Sequence, residues 1–349
     1  MAAHQLLIAI CLGFTASLQQ ARRGTPLCVI DPRRIDLCDF AELHLQVRPG
    51  ANVALFNALA KLLLETEAFD TAYVAARCEG VDTLRAFTSQ LSLDDCARDA
   101  GVPVAALRRA AARLAEGPTL FVWGLGLSEL VQGTASVMAL ANLAMLTGSI
   151  GRPGAGVLPL RGQNNVQGNA DMGAMPAQLT GYQAPGDAAV RERFTRIWGA
   201  PPPTRPGFTI PEMFEAARRG ELRALWIMGE DVVQSDPDET RVREALAALD
   251  FLVVQELFPT GTARYAHVLL PAAGYLEQDG TFTNGERRIQ RVRAAVAAPG
   301  EARPDWIAVR DAARALGADW SYAAPADVMD EIAQVAPHLF GGVSHARLA

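Results

Sequence analysis

A polar run at residues 161–168, Arg-Gly-Gln-Asn-Asn-Val-Gln-Gly, is the part of the chain best suited to bind a small ligand. It contains one cation, four side-chain amides and two glycines. An unpaired buried amide costs about 1–3 kcal/mol, and glycine and asparagine disfavour helix and strand interiors, so the run suits neither a core nor a regular element. Its flanks are apolar and rich in glycine and proline. We therefore predict a loop whose amides bind one another and a polar ligand, rather than a solvated linker.

An aspartate and two arginines follow the apolar segment 27–30, which is predicted to be a short buried strand. At the carboxyl end of such a strand Asp31 can accept hydrogen bonds from a guanine or a ribose, and Arg33 and Arg34 can bind phosphate. The alternative is a helix N-cap aspartate followed by Pro32 and solvated arginines. The residues alone do not decide between the two interpretations.

Acidic and amide side chains also end two strands predicted in the second half of the chain. Glu230 and Asp231 follow the apolar segment 224–228, and Gln255 and Glu256 end the next strand. Acceptors in these positions suit donors such as a guanine N–H or a pterin amine. The alternative for each pair is a solvated acidic loop.

A two-glycine turn, Gly124-Leu125-Gly126, joins a predicted strand to a predicted helix, and Glu129 follows it. Open α/β sheets bind ligands at the carboxyl edge through this succession of strand, glycine-rich turn and helix. By itself the turn is a weak signal.

These residues require a scaffold in which strands and helices alternate. We predict strands at 27–31, 43–47, 119–123, 224–228, 251–255 and 266–270, and helices at 5–22, 51–67, 81–88, 103–115, 131–146, 238–249, 304–316 and 326–335. Residues 148–185 are dense in glycine and proline and are expected to hold the domain seam, and residues 186–220 are expected to be irregular. The predicted fold class is α/β, with two Rossmann-like domains, 1–160 and 161–349, whose sheets are mainly parallel.

Composition narrows the class of protein. The chain has 349 residues and a net charge of −6 without a basic block, so nucleic-acid binding has little support. Its five cysteines show no CxxC spacing, which argues against a zinc or iron–sulfur cradle and favours a reducing, cytoplasmic setting. The apolar stretch 6–14 lacks a preceding basic region and is too short to span a bilayer, so we predict a buried helix there and no transmembrane segment.

Two motifs carry a resemblance to a known family. The run 161–168 followed by Asp171-Met172-Gly173 resembles the substrate-side loop of molybdenum or tungsten formate dehydrogenases, in the molybdopterin oxidoreductase superfamily. The related nitrate reductases have a different loop at this place. Residues 269–288 resemble the family's LPA…E-x-x-G-T-x-x-N-x-E-R-R segment. The resemblance extends from about residue 20 to about residue 340 and implies the fold of domains 2–3 of formate dehydrogenase and DMSO reductase.

The resemblance also implies an activity, oxidation of formate to CO₂, and a cofactor, bis-molybdopterin guanine dinucleotide carrying molybdenum or tungsten. Arg161 would bind the formate carboxylate with its planar guanidinium, and Gln163 would assist by donating from its amide. The implied cofactor-binding residues are Asp31, Arg33, Arg48, Gly50, Gly124, Leu125, Glu129, Gly229, Glu230, Gln255, Glu256, Gln278 and Asp305. The chain departs from the family at Leu125, where methionine is common.

The metal's cysteine or selenocysteine ligand, a neighbouring histidine and a four-cysteine [4Fe–4S] motif lie, in this family, N-terminal to the matched region. We therefore expect no metal ligand in this chain and no turnover by the chain alone. Expected partners are formate and the remaining parts of the catalytic subunit, or iron–sulfur or diaphorase subunits. The alternative is an inactive fragment or a non-catalytic, partner-binding scaffold. An NAD dehydrogenase is rejected because Asp31-Pro32-Arg33 stands where G-x-G-x-x-G would be required.

Overall fold

The computed structural model describes residues 6–10 and 19–348. The chain divides into two compact units, which we call the N-terminal unit, Met1–Gln163, and the C-terminal unit, Asn164–Ala349. Each is described by itself below. In the described ranges no helix is long and apolar enough to cross a membrane.

The N-terminal unit is built on a parallel sheet. Its strands are β1 Leu6–Ile10, β2 Leu27–Ile30, β3 Leu43–Leu45, β4 Thr119–Trp123 and β5 Gly156–Pro159, and its helices are α1 Asn52–Glu65, α2 Thr71–Arg77, α3 Val81–Ser89, α4 Leu93–Ala100, α5 Val104–Ala115, α6 Leu125–Ser128 and α7 Gly133–Leu146. All neighbouring strands run parallel, in the order β3-β2-β1-β4-β5. The residues of β2 are all buried, as expected for a short apolar strand inside a parallel sheet.

Helix α1 is the centre of this unit's core. It contacts α3, α4, α5 and α7, and its leucines at positions 55, 59 and 63 are fully buried. Burying each of these side chains stabilises the fold by about 1.5–3 kcal/mol. Its one cation, Lys61, is also buried, and its ammonium group donates to the carbonyl of Thr88 at 3.2 Å and pairs with Glu65. This polar pairing allows a helix that is apolar almost all round to lie between other helices.

The C-terminal unit contains a parallel sheet and a separate hairpin. Its strands are β6 Ala224–Met228, β7 Phe251–Glu256, β8 Val268–Pro271, β9 Gly280–Thr283 and β10 Ile289–Val292, and its helices are α8 Val166–Asp171, α9 Ala188–Trp198, α10 Ile210–Arg218, α11 Val232–Ser235, α12 Glu239–Ala247, α13 Asp305–Ala315, α14 Pro325–Val335 and α15 Pro337–Phe340. The parallel order is β6-β7-β8, and β9 pairs with β10 antiparallel. The predicted α/β class with mainly parallel sheets is confirmed.

The helix predicted at 5–22 is wrong over Leu6–Ile10, which forms strand β1 between β2 and β4. A short apolar run suits a buried strand as well as a buried helix, and periodicity does not separate the two. Residues 19–22 are helical and end before Gly24, whose φ is +88°. The prediction for residue 5 and residues 11–18 lies outside the described residues.

Residues 186–220 are not irregular, because α9 and α10 lie within them. Both helices begin with a capping side chain: Asp187 accepts from the backbone N–H of Val190, and Thr209 forms a capping box with Glu212. Helices α2 and α4, which begin after similar caps, and the antiparallel hairpin were also not predicted from the sequence. Prolines flank α9 and α10, and α2 and α4 are short, so the capping residues that start these helices were not recognised.

Candidate functional site

The carboxyl ends of the strands in the N-terminal unit share one edge of the sheet. Ile30 pairs with Leu45, and Trp123 pairs with both Ile10 and Pro159, so the strands end side by side. The residues that follow these ends include Asp31, Arg48, Gly124 and Arg161. The structure therefore places these predicted site residues after strands that end at a common edge.

Asp31 is buried directly after β2, with 1% of its surface exposed. Its Oδ1 accepts from the backbone N–H of Arg33 at 2.8 Å, and its carbonyl oxygen lies 3.0 Å from Nε2 of His44. The alternative interpretation as a helix N-cap is wrong, because the following 3-10 helix, Asp36–Phe40, has Ile35 at its N-cap. The Arg33 side chain is exposed beside the turn.

A shallow depression of about 420 Å³ lies in the same unit, between the loop after β3 and the start of α5. Its lining includes Pro32, His44 and the exposed Arg48. Gly50, with φ +84°, ends the loop, and its carbonyl accepts from the Gln132 side chain. The depression presents one cation, Arg48, beside His44 and Gln46, which suits an anionic ligand.

The Gly-Leu-Gly turn is a short helix, α6, that begins directly after β4. Leu125 is 45% exposed and Glu129 is exposed, while Gly124 is buried. The buried Asn52 donates to the carbonyl of Gly126 at 3.3 Å, which ties the turn to α1. Leu125 thus offers an apolar surface at the carboxyl edge.

In the C-terminal unit, four predicted residues lie together at the carboxyl edge of the β6-β7-β8 sheet. The backbone N–H of Gly229 donates to the carbonyl of Gln255 at 2.9 Å, and Glu256 follows Gln255 on β7. The Gln255 side chain is buried, and its Nε2 donates to Oδ1 of Asp305 at 2.6 Å. Its Oε1 is buried without a partner among the described residues, which leaves a strong acceptor unsatisfied.

Asp305 has a perturbed pKa. Burial raises the pKa of its carboxyl, the hydrogen bond from Gln255 opposes the rise, and the charge of Glu256 adds to it. The Glu256 carboxylate itself accepts from the backbone N–H of Leu257 at 2.6 Å. The edge thus combines an amide oxygen with two carboxyl groups.

The other predicted residues of this unit are less tightly placed. Glu230 is exposed, and its carboxylate accepts a hydrogen bond from Ser235. Its neighbour Asp231 accepts from Gly261 and Thr262 and therefore holds the loop that contains these two residues. Gln278 is half-buried before β9, and no described hydrogen bond connects it with the Gln255–Asp305 pair.

The run 161–168 is part loop and part helix. Arg161 and Gln163 are exposed on the loop after β5, and neither makes a hydrogen bond or ion pair with a described residue. The prediction of a loop throughout is wrong beyond Asn165, because α8 begins at Val166. The amides also do not bind one another: Asn165 binds the backbone of Thr283 instead.

Three residues that were not predicted as site residues support this helix. Asp171 is buried, and its Oδ1 accepts from the Tyr182 hydroxyl at 2.7 Å and from the Gln167 amide at 2.8 Å. Burial, together with the hydrogen bond to Asp171, raises the pKa of Tyr182. Gln167 and Asp171 both belong to the motif at 161–173, but nothing in the sequence pairs them with Tyr182.

A pocket of about 210 Å³ adjoins the same segment in the C-terminal unit. It is lined by Asn165, Met172, Trp306, Met329 and His345 among others, and none of the predicted site residues lines it. Its lining is mainly apolar, and no side-chain polar atom in it is both buried and unpartnered among the described residues.

Parallel α/β sheets with polar groups at their carboxyl edges are the architecture of many nucleotide- and dinucleotide-binding proteins. The comparison with protein families is more specific, since the model for "Molybdopterin oxidoreductase" matches residues 12–315. The chain belongs to the molybdopterin oxidoreductase family, as its motifs predicted.

The relatives with detectable sequence similarity include named formate dehydrogenases. The chain is 41% identical over 329 residues to the F420-dependent formate dehydrogenase 2 subunit alpha of Methanococcus maripaludis, covering 93% of this chain and 48% of that protein. It is 37% identical over 322 residues to formate dehydrogenase H of Escherichia coli, covering 92% and 45%. The chain therefore spans about half the length of these curated relatives. Acetylene hydratase from Pelobacter acetylenicus has the same fold, with a TM-score of 0.76 at 18% identity over 99% of this chain and 51% of that one.

Proposed function

We propose that this chain forms part of a formate dehydrogenase that binds bis-molybdopterin guanine dinucleotide with molybdenum or tungsten. The observation that carries the substrate assignment is Arg161, an exposed loop cation without a partner among the described residues, within a motif of the formate dehydrogenase type. The names of the two curated relatives support the same substrate.

Arg161 binds formate because a guanidinium donates two parallel hydrogen bonds to one carboxylate. Formate has only one carbon, so fixing the orientation of its carboxylate fixes the direction of its C–H bond. Gln163, exposed on the same loop, donates from its amide to the same anion. The loop thus supplies recognition and orientation.

The residues present fit the guanine dinucleotide cofactor. In the C-terminal unit the orphaned Oε1 of Gln255 is an acceptor without a donor among the described residues, and a guanine or pterin N–H would satisfy it. Gly229, Glu230, Glu256 and Asp305 lie at the same edge, and together with Gln278, which precedes β9, they form one proposed binding group.

A second proposed group lies at the carboxyl edge of the N-terminal sheet. Its polar members are Asp31, Arg33 and Arg48, its backbone members are Gly50 and Gly124, and Leu125 and Glu129 complete it. A buried carboxylate suits the N1–H and N2–H of guanine, and the exposed arginines suit phosphate. Leu125 replaces the family's usual methionine with another apolar side chain.

Oxidation of formate breaks its C–H bond and yields CO₂, one proton and two electrons. When bound, the molybdenum or tungsten group supplies the two-electron acceptor. The chain's own residues hold the anion, orient the C–H bond and neutralise the carboxylate charge. Iron–sulfur centres of the proposed partner subunits or segments would supply the onward electron acceptor, and the proposed setting is the cytoplasm.

Protein purified from its native host tests the proposal. Elemental analysis should find molybdenum or tungsten together with a guanine dinucleotide, and formate should reduce an artificial dye in the assembled enzyme. Retention of the metal without any formate oxidation would refute the substrate assignment. A preparation that contains neither metal nor pterin would refute the cofactor assignment and favour a non-catalytic scaffold.

A further inference from the structure

Asn165 connects the two sequence motifs that carry most of the resemblance. Its Oδ1 accepts from the backbone N–H of Thr283, the last residue of β9, at 3.0 Å. The residue has φ +61°, a left-handed conformation that asparagine tolerates better than most residues. Its backbone carbonyl meanwhile accepts from Asn169 in the first turn of α8. Asn165 therefore anchors the start of α8 to the hairpin within the C-terminal unit.

Gly168 makes this anchor possible. A Cβ at position 168 would lie 2.1 Å from Oδ1 of Asn165, far inside van der Waals contact. Gly168 is buried within α8, although glycine is a poor helix former. The close approach of the Asn165 side chain explains why this position has no side chain. Any side chain there would displace the asparagine from Thr283.

Residues 161–164 directly precede this anchor in the chain. Residues 161–164 make no hydrogen bond or ion pair of their own with described residues. Asn165 is therefore the first residue after Arg161 whose side chain is held by a hydrogen bond to a described residue.

We propose that Asn165 is a positioning residue for Arg161: its bond to Thr283 fixes the C-terminal end of the loop and so orients the guanidinium for the substrate anion. The inference rests on the proposed function of Arg161. Without the anchor, the loop samples more conformations, and the arginine reaches the binding orientation for a smaller fraction of the time.

Trypsin cleavage of the full chain after Arg161 tests the anchor without requiring activity. When the loop opens and closes quickly, the rate of cleavage follows the fraction of molecules in which the loop is open. Loss of one hydrogen bond should increase this fraction about tenfold. Asn165→Ala should therefore be cut about tenfold faster after Arg161, whereas Asn165→Asp, which keeps an acceptor, should resemble the wild type. Asn169→Ala is the matched control, since Asn169 is exposed on the same helix and its side chain binds no described residue. Circular dichroism establishes that each variant is folded.

A double-mutant cycle separates the anchor from general destabilisation. Gly168→Ala should accelerate the same cleavage in the wild-type background and add nothing in Asn165→Ala, because the displaced atom is already gone. Equal cleavage rates for Asn165→Ala and the wild type, or fully additive effects of the two substitutions, would overturn the proposal.

Kinetics in the assembled enzyme then test the consequence for substrate. Asn165→Ala should lower kcat/KM for formate about tenfold at unchanged metal and pterin content, and Asn165→Asp should restore it. Unchanged kinetics in a variant with accelerated cleavage would overturn the positioning role. An assembled wild-type enzyme that does not oxidise formate would refute the proposed function instead, while the cleavage results would still decide whether the anchor exists.

Discussion

Replacement of Arg161 by lysine should damage formate turnover far more than cofactor retention or folding. The side chain is exposed and has no hydrogen-bonding or ionic partner among the described residues, so no contact that holds the fold is lost. A surface substitution of this kind changes stability by no more than about 0.5 kcal/mol. Any loss of activity therefore reports on the substrate.

The expected magnitude follows from the geometry of the two cations. Arginine offers two parallel N–H donors to a carboxylate, whereas lysine keeps the charge as a point donor and loses the fixed orientation. A charge-assisted hydrogen bond contributes about 1.5–3 kcal/mol, and misorientation of the C–H bond adds to its loss. We expect a total of about 2–4 kcal/mol in the transition state, which is about 30- to 1000-fold in rate.

The assay is formate-dependent dye reduction by the assembled enzyme, with metal content measured on the same preparation. Arg196→Lys is the matched control, because Arg196 is exposed on α9 and lies outside every candidate site. A near-normal rate for Arg161→Lys would show that the loop does not bind the substrate through its arginine. A parallel loss of metal would place the residue in cofactor binding.

Three further substitutions test the C-terminal unit of the chain. Asp231→Ala removes the acceptor for the hydroxyl and the backbone N–H of the buried Thr262. The free energy of unfolding, measured by urea denaturation, should therefore fall by about 3 kcal/mol, and a decrease of less than about 1 kcal/mol would contradict this role. The pKa of Asp305 is raised by burial, so the folded state holds this proton more tightly than the unfolded state, and wild-type stability should fall as the pH rises from the unfolded to the folded pKa. The stability of the Asp305→Asn variant should not fall in this way. The Tm of the variant minus that of the wild type should therefore increase as the pH rises above about 4, and a difference that does not change with pH would refute the assignment. Gly173→Ala should destabilise more than Gly199→Ala: both have positive φ, which costs about 1–2 kcal/mol, but only at position 173 would the new Cβ meet a backbone nitrogen, at 2.6 Å.

The strands that the sequence predicted best are continuous apolar runs bounded by turn residues. β4 and β6 have the predicted bounds, because each run is short, lacks charge and precedes a glycine. β1 is equally apolar, but the apolar residues Cys11 and Leu12 follow it directly, so no turn residue marks its end. Only its pairing with β2 and β4 reveals it as a strand.

The sequence indicated which residues to consider for the candidate site, but it did not indicate which side chains contact one another. A strand end followed by a polar residue can be recognised locally, which is why Asp31 and Gln255 could be named. The bond from Gln255 to Asp305 joins residues 50 positions apart, and that from Thr283 to Asn165 joins residues 118 apart. Such pairings depend on the close approach of backbones, which no local pattern encodes.

The position of β1 has a consequence for how the N-terminal unit is made on the ribosome. In the order β3-β2-β1-β4-β5, this strand joins a β3-β2 half to a β4-β5 half. Its first partner, β2, follows soon after it, but its second partner begins only at Thr119. At about 5–20 residues per second, translation needs roughly 5–20 s to cover that distance. During this time one hydrogen-bonding edge of the apolar β1 has no strand to pair with, so nascent chains should be most prone to aggregate, and most dependent on chaperones, before β4 emerges.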